Sequence, residues 1–497
     1  MPTGAGESAI RQPETVPLGY RRRMGEELLW SSARELAAAV AAGEVSPLEL
    51  TEAALARIDT VQPQLTPFAA LWADEARAEA VVAADAVVHG RPLGSLHGVP
   101  IAVKETTPVA GRPFTMGSLT QAGVVADRDG AVVRALRRAG AVIVGSTTSP
   151  EFAHALQTDS PLHGPTRNPW QPDLAPGGSS GGSAVAVATG CVPLAEGSDM
   201  GGSVRIPASW CGIVGLKPGL GRIPMDVLPG LWDTLSHHGP LARSVDDARL
   251  FLAATQGPDE ADILSVTAPL DLSGVTSGDV RGLRIGVSID LGEWWVHPEI
   301  AAAVAAAAEA LADAGAIVEP VDPGLGREDE WLWIRMWGVF MSGYFGHLVD
   351  EWADRMDPDV LRLIELGNSM SATEYKRLEL GRTETWRKVS AVLAGRDALL
   401  CPTMATPPVG ATKAARDRFD QPDDGRYHSP DMTGVFNLVA PCPALSVPCG
   451  AHVEAPYTGV PIGAQIVGHR WREDTVLRIG RAVEQALWPN ALPRPPI

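Results

Sequence analysis

The sequence predicts an α/β fold whose sheet is largely covered by helices, and three observations lead there. Short apolar runs with the look of buried strands recur along the whole chain: "GVPIAVKE" (98–105), "AVIVGST" (141–147), "RGLRIGVSI" (281–289), "AIVEPV" (316–321), "DALLCP" (397–402), "PALSVPCG" (443–450) and "VPIGAQIVG" (460–468). These runs are continuously apolar, as expected of strands buried on both faces. Segments with helix start signals fall between them, the order that builds a covered sheet. Finally, 497 residues that are 45% hydrophobic and 20% charged suffice for a large core.

Taken in order, residues 1–27 are polar and punctuated by Pro and Gly, the pattern of an N-terminal arm. Ser32 with Glu35 forms a capping-box pattern closed by Gly43, and Ser46-Pro47-Leu48-Glu49 opens a second helix in the same way. "GAVVRALRRAG" (130–140) reads as a helix between two strands, and Ser149-Pro150-Glu151 as the start of another. Pro298–Asp313, rich in Ala but carrying acids, is an ordinary helix. Trp331–Asp357 is helical and aromatic-rich, and Ala411–Tyr427 is a charged loop. No internal repeat or linker interrupts the series.

Several function classes are disfavoured by composition. The 41 Lys and Arg against 59 Asp and Glu leave a net charge of −18, which repels a phosphate backbone. The only short basic stretch, "YRRRMGEE" (20–27), reads as a solvated arm. Five cysteines without a CxxC pair read as buried reduced thiols. No secretory signal pattern is present, and no uncharged run approaches the ~18 residues of a membrane span, so the expectation is a cytoplasmic protein.

Chemistry concentrates in two glycine loops, "PGGSSGGSAVAVATG" (176–190) and "GSDMGGSVRIP" (197–207). A flexible linker would not run straight into an apolar helical stretch. A phosphate loop needs a terminal Lys-Ser/Thr or G-x-G-x-x-G after a strand, and neither is present. Gly178-Ser179-Ser180-Gly181-Gly182 formally matches G-x-S-x-G, with Ser180 as nucleophile, but the prolines before it rule out the central strand that motif requires. A fourth reading uses both loops and Lys104, which ends an apolar strand. An isolated lysine there could simply reach solvent. A desolvated one shifts toward its neutral form and can accept a proton through serine hydroxyls. The glycines before Ser203 leave consecutive N–H groups unobstructed, as an oxyanion site requires.

These segments, together with "GPTRNPWQPDLAPGGSSGGSAVAVATG", "GSDMGGSVRIPASWCGIVGLKP" and "PALSVPCG…GVPIGAQIVG", resemble the amidase signature family over roughly residues 28 to 487. The resemblance implies an α/β/α sandwich with a large mixed central sheet covered by helices, and a single catalytic domain over 28–497. It implies a Ser–cis-Ser–Lys triad: Ser203 as nucleophile, Ser179 as bridge after a cis peptide at Gly178, and Lys104 as base. It also implies an oxyanion hole at the N–H groups of Met200, Gly201 and Gly202, with that of Ser203 contributing, and a structural pair, Asp199 and Arg205. Glu105, Met200 and Gly219 depart from common family residues; Met200 leaves the wall beside the oxyanion hole open to variation.

The expected activity is therefore hydrolysis of small amides through an acyl-enzyme, with neither metal nor organic cofactor. Cleavage of carbamates or aryl esters by the same triad is the alternative, and an A-type subunit of glutamyl-tRNA amidotransferase or a non-catalytic binding relative are further ones. Expected partners are a small-molecule amide or carbamate, with no nucleic acid or membrane, for a monomer or homodimer. His237-His238, the densest histidine pair, is expected in a loop near the site mouth. In "WLWIRMWGVFMSGYF" (331–345), Trp333, Trp337, Phe340 and Tyr344 follow one helical face, with Trp331 and Phe345 on its flanks. The face is either core packing or the wall of a substrate pocket that Met116 shares. Because Arg335 is the only charge in this stretch, the expected substrates are neutral apolar or aryl amides.

Overall fold

The structure, a computed structural model, describes residues 25–412 and 425–497. The arm expected over 1–27 thus lies almost wholly outside the described residues, as do residues 413–424 of the charged stretch Ala411–Tyr427. Among the described residues thirteen strands follow in chain order. They are β1 Phe68–Leu71, β2 Pro100–Lys104, β3 Val142–Thr147, β4 Asp159–Ser160, β5 Gly164–Pro165, β6 Leu194–Asp199 and β7 Val214–Lys217. The remainder are β8 His237–Ala242, β9 Arg284–Val287, β10 Ile317–Pro320, β11 Ala398–Pro402, β12 Ala444–Ala451 and β13 Pro461–Gly468.

Eleven of these make one mixed sheet in the order β1-β3-β2-β6-β8-β7-β12-β13-β11-β9-β10, and β4 and β5 form a small separate hairpin. β2 runs parallel to β3 and β6, whereas β6 and β8 are antiparallel. β2, β3, β11 and β13 are buried along their whole length, which accounts for their unbroken apolar sequences. The expected capping boxes at Ser32 and Ser46 are both formed, and the Pro298–Asp313 helix has the expected bounds. Among the described residues no helix is long and apolar enough to cross a membrane. All five cysteines are buried and free.

Two expectations are corrected. Ser149-Pro150-Glu151 opens only a single 3-10 turn, Glu151–Ala153, in which Phe152 and Ala153 have φ of 49° and 58°. The Glu151 carboxylate accepts hydrogen bonds from Ser118 Oγ and the Asp357 N–H, each at 2.6 Å, and so anchors other segments rather than capping a helix. His237 and His238 are not in a loop; they lie in β8, buried, paired with Asp199 and Ser198 of β6. Ring hydrogen bonds offset the burial of these polar side chains: His237 reaches the Asp199 and Ala440 carbonyls, and His238 the Glu196 carboxylate.

Candidate active site

The site is built where β2 and β6 end side by side. Burial of Lys104 is complete, and its Nζ donates to Ser179 Oγ at 2.6 Å and to Ser198 Oγ at 3.0 Å. Burial drags the amine down to about 7, against the pull of Glu196, Asp199 and Glu105. Near neutral pH the side chain therefore exists in both forms.

Ser179 sits on the loop entering the Gly181–Ala188 helix, after a cis Gly178–Ser179 peptide. This helix is buried on every side, and its small residues permit that. A Cβ on Gly182 would lie 2.4 Å from Thr148 Oγ1 and 2.5 Å from the Pro67 carbonyl. Gly178 is equally confined, a Cβ there lying 2.6 Å from the Ala155 carbonyl. Ser180, the rival nucleophile, is buried and spends its hydroxyl on the Ser198 backbone at 3.2 Å.

Ser203 precedes the Arg205–Cys211 helix and lines, with Ser179, Ser198 and Thr106, a cleft of about 870 Å³. The Ser179 and Ser203 hydroxyls share this wall without a direct hydrogen bond to each other; the nearby backbone link is Ser180 N–H to the Ser203 carbonyl at 3.1 Å. The intervening loop is held from outside. Trp333 Nε1 donates to the Met200 carbonyl at 3.0 Å, and Thr433 Oγ1 to the Gly201 carbonyl at 2.6 Å. No side chain fits at Gly201, where a Cβ would lie 2.0 Å from the Trp333 ring.

One member of the expected oxyanion hole is corrected. The Gly202 N–H points at Asp199 Oδ1, 2.9 Å away, because that carboxylate also organises the Val204 N–H and Arg205. The N–H groups of Met200, Gly201 and Ser203 meet no acceptor among the described residues. The Asp199–Arg205 pair is fully buried and two-pronged, at 2.8 and 2.9 Å. Burial alone would push the Asp199 carboxyl up, but Arg205 beside it, joined by Asn437, holds it far below the usual carboxylate range.

The aromatic stripe belongs to the Arg327–Phe345 helix, and it both packs and lines. Trp333, Trp337, Phe340 and Phe345 border the cleft, as do Met116 and Phe152. Tyr344 is corrected: it is not among the lining residues, and its hydroxyl reaches toward the Gly230 carbonyl at 3.5 Å. Phe345 takes the place at the cleft because the helix ends there; its φ of −123° departs from helical geometry. It stacks on Phe152 with ring centroids 4.0 Å apart. Met116, Phe152 and Ala153 all have positive φ and all line the cleft, a concentration of strained backbone typical of functional sites. Sequence reasoning missed Phe152, Thr433 and Asn437, which stand in no recognisable motif, and Ser198, which lies inside the second glycine loop without an assigned role. Among the described residues two clusters have the composition of a metal site, His297/Glu299/His452 and His154/Asp357/Asp359. In the first, His297 Nδ1 accepts the Glu299 N–H, His452 Nδ1 meets one Glu299 oxygen, and the other Glu299 oxygen accepts the N–H groups of Val453 and Glu454.

Set beside known proteins, the chain matches the family model Amidase over residues 49–477. This chain belongs to the amidase signature family. It is 34% identical to an acylamidase of Rhodococcus erythropolis, covering 91% of this chain and 94% of that protein. It is 35% identical to the A-type subunit of the glutamyl-tRNA(Gln) amidotransferase of Chloroflexus aurantiacus, covering 92% and 97%. Among solved structures, a bacterial aryl acylamidase of the family superposes with a TM-score of 0.86 at 30% identity, over 92% of this chain and 96% of that one. A 6-aminohexanoate cyclic dimer hydrolase superposes with a TM-score of 0.82, also at 30% identity, over 94% and 99%. The amidase signature protein described here is thus a member of a family of hydrolases acting on C–N bonds, and it carries that family's mixed sheet.

Proposed function

We propose that this amidase signature protein hydrolyses small neutral apolar or aryl amides through a serine acyl-enzyme. Ser203 Oγ attacks the amide carbonyl carbon while its proton passes to Ser179, whose own proton passes to neutral Lys104. The carbonyl oxygen becomes an oxyanion received by the N–H groups of Met200, Gly201 and Ser203. As the C–N bond breaks, the Lys104 proton returns through Ser179 to the leaving nitrogen. Water, activated by the same relay, then attacks the Ser203 ester and releases the acid. The observation that carries this reading is the 2.6 Å contact between a fully buried Lys104 amine and Ser179, on the wall that Ser203 shares. Residues 28–497 would act as one catalytic unit.

The cleft argues for the substrate class. Four aromatic side chains of one helix and Met116 border it. Its carboxylates are Asp199, balanced by Arg205, and Asp431, and no Lys or Arg is among the lining residues to pair with an anionic substrate. The acylamidase and aryl acylamidase relatives agree with that choice. Carbamates and aryl esters pass through the same tetrahedral intermediate and are expected as secondary substrates.

Ser203→Ala should abolish turnover and labelling by a fluorophosphonate, Ser179→Ala should lower turnover at least ~100-fold, and Ser180→Ala should be mild. The opposite ranking of Ser180 and Ser203 would restore the G-x-S-x-G reading. A panel of p-nitroanilides, aryl amides, carbamates and p-nitrophenyl esters, assayed on one purified sample, ranks the substrates. The 35% identity to the amidotransferase component of Chloroflexus aurantiacus favours a second reading, a protein that works within a multi-chain complex. Turnover of aryl amides by the chain purified alone decides against it.

A further inference from the structure

We infer that Glu196, braced by His238, is a positioning residue that keeps the buried Lys104 basic enough to take a proton from the serine relay. The inference rests on Lys104 being the base. Glu196 is fully buried in β6, two strand positions from Ser198. One carboxylate oxygen accepts the backbone N–H of Lys104 at 2.9 Å; the other accepts Thr107 Oγ1 at 3.1 Å and meets His238 Nδ1 at 2.7 Å. This ties the end of β2 to β8 through one carboxylate.

The other charged groups around Lys104 are already balanced. Asp199 of β6 is paired with Arg205 at 2.8 Å. Glu105, just beyond β2, contacts His163 at 3.0 Å and also accepts from Thr115, Ser149 and Gly117. The residues of β3 beside β2 and the buried Gly181–Ala188 helix bring no charge. The titratable side chain bonded to Glu196 is the His238 ring, whose Nε2 is buried without a partner. Among the described residues no Lys or Arg is paired with the Glu196 carboxylate. That carboxylate lies against the Lys104 backbone, and Glu196 leads the carboxylates that oppose the effect of burial on the Lys104 amine. Without it, desolvation would leave the amine too weak a base.

The test is the pH profile of kcat/KM with an aryl amide. Glu196→Gln keeps the shape and the acceptor for the Lys104 N–H but removes the charge. The acid limb should move down by about one pH unit, and plateau kcat should fall about 3- to 10-fold with KM unchanged, as expected for a weaker base. His238→Asn, which leaves the carboxylate charged, should leave the limb in place. If Glu196→Gln does not fold, Glu196→Asp should move the limb the same way by less. A limb that stays at its wild-type position in the folded Glu196 variant overturns the inference. Lys104→Ala separates the two levels: if it stays active, the base assignment itself fails, whereas an inactive Lys104→Ala with an unmoved Glu196 limb defeats the positioning role alone.

Discussion

Among the described residues two lysines are equally buried, and of these two Lys104 alone donates to serine hydroxyls. Lys104 and Lys217 are each pulled down to about 7 by burial. Lys217 donates to three backbone carbonyls, those of Pro218, Ala440 and Cys442, so it ties loops together. Lys104 donates to two serines beside an open cleft, so its proton has somewhere to go. With Lys104 as the base, kcat/KM should rise with pH through a midpoint near 7, because only the neutral amine accepts. Lys104→Met and Lys104→Arg should both be inactive, the latter because guanidinium does not deprotonate. Stability carries a second signature. Between about 7 and the ordinary value of 10.5, the unfolded chain binds the Lys104 proton and the folded chain does not. Stability should therefore rise with pH across that window, and Lys104→Met should lose part of the rise. Melting temperatures of both proteins at pH 7 and pH 10 provide the comparison.

At the scale of the element, the Arg327–Phe345 helix does two jobs with neighbouring tryptophans. Trp333 is the buried one; its indole N–H holds the Met200 carbonyl and its ring lies against Gly201. Trp337 stacks on it at 4.9 Å and borders the cleft. Trp333→Phe should therefore lower kcat about 10-fold with little change in KM, since the loop bearing the proposed oxyanion donors loses its anchor. Trp337→Ala should raise KM for aryl amides about 10-fold while the melting curve stays cooperative. A collapse of folding instead would mark Trp337 as core. The period of aromatic residues was readable in the sequence and identified the face. It could not reveal that the helix ends at Phe345 and so exchanges that ring for Tyr344 at the cleft.

On the scale of the molecule, Arg205 joins segments that are far apart in the chain. It reaches Asp199 in β6, Gln465 in β13, and Asn437 and the Thr433 carbonyl between β11 and β12. The second glycine loop is thereby locked to the C-terminal strands. Arg205→Met would leave the Asp199 carboxylate buried without its cation, and should cost about 3–5 kcal/mol in urea denaturation as well as activity. Loss of activity with unchanged stability would show that the pair orients the loop without holding the fold.

The sequence by itself determined the α/β class, the capping boxes at Ser32 and Ser46, and most strands. It also determined where a lysine and two serines with glycine neighbours must fall. Those features are local: each depends on residues a few positions apart, whose periodicity or backbone freedom is written in the chain. Tertiary structure alone decided that Gly202 gives its N–H to Asp199, that His237 and His238 lie in a buried strand, and that Glu196 faces Lys104. The partners in such contacts come from distant segments, as Thr433 holds Gly201 across 232 residues and Glu196 meets Lys104 across 92. Which buried polar group satisfies which is settled only when the strands stack, since burial makes an unmade hydrogen bond costly and leaves the choice of partner to packing.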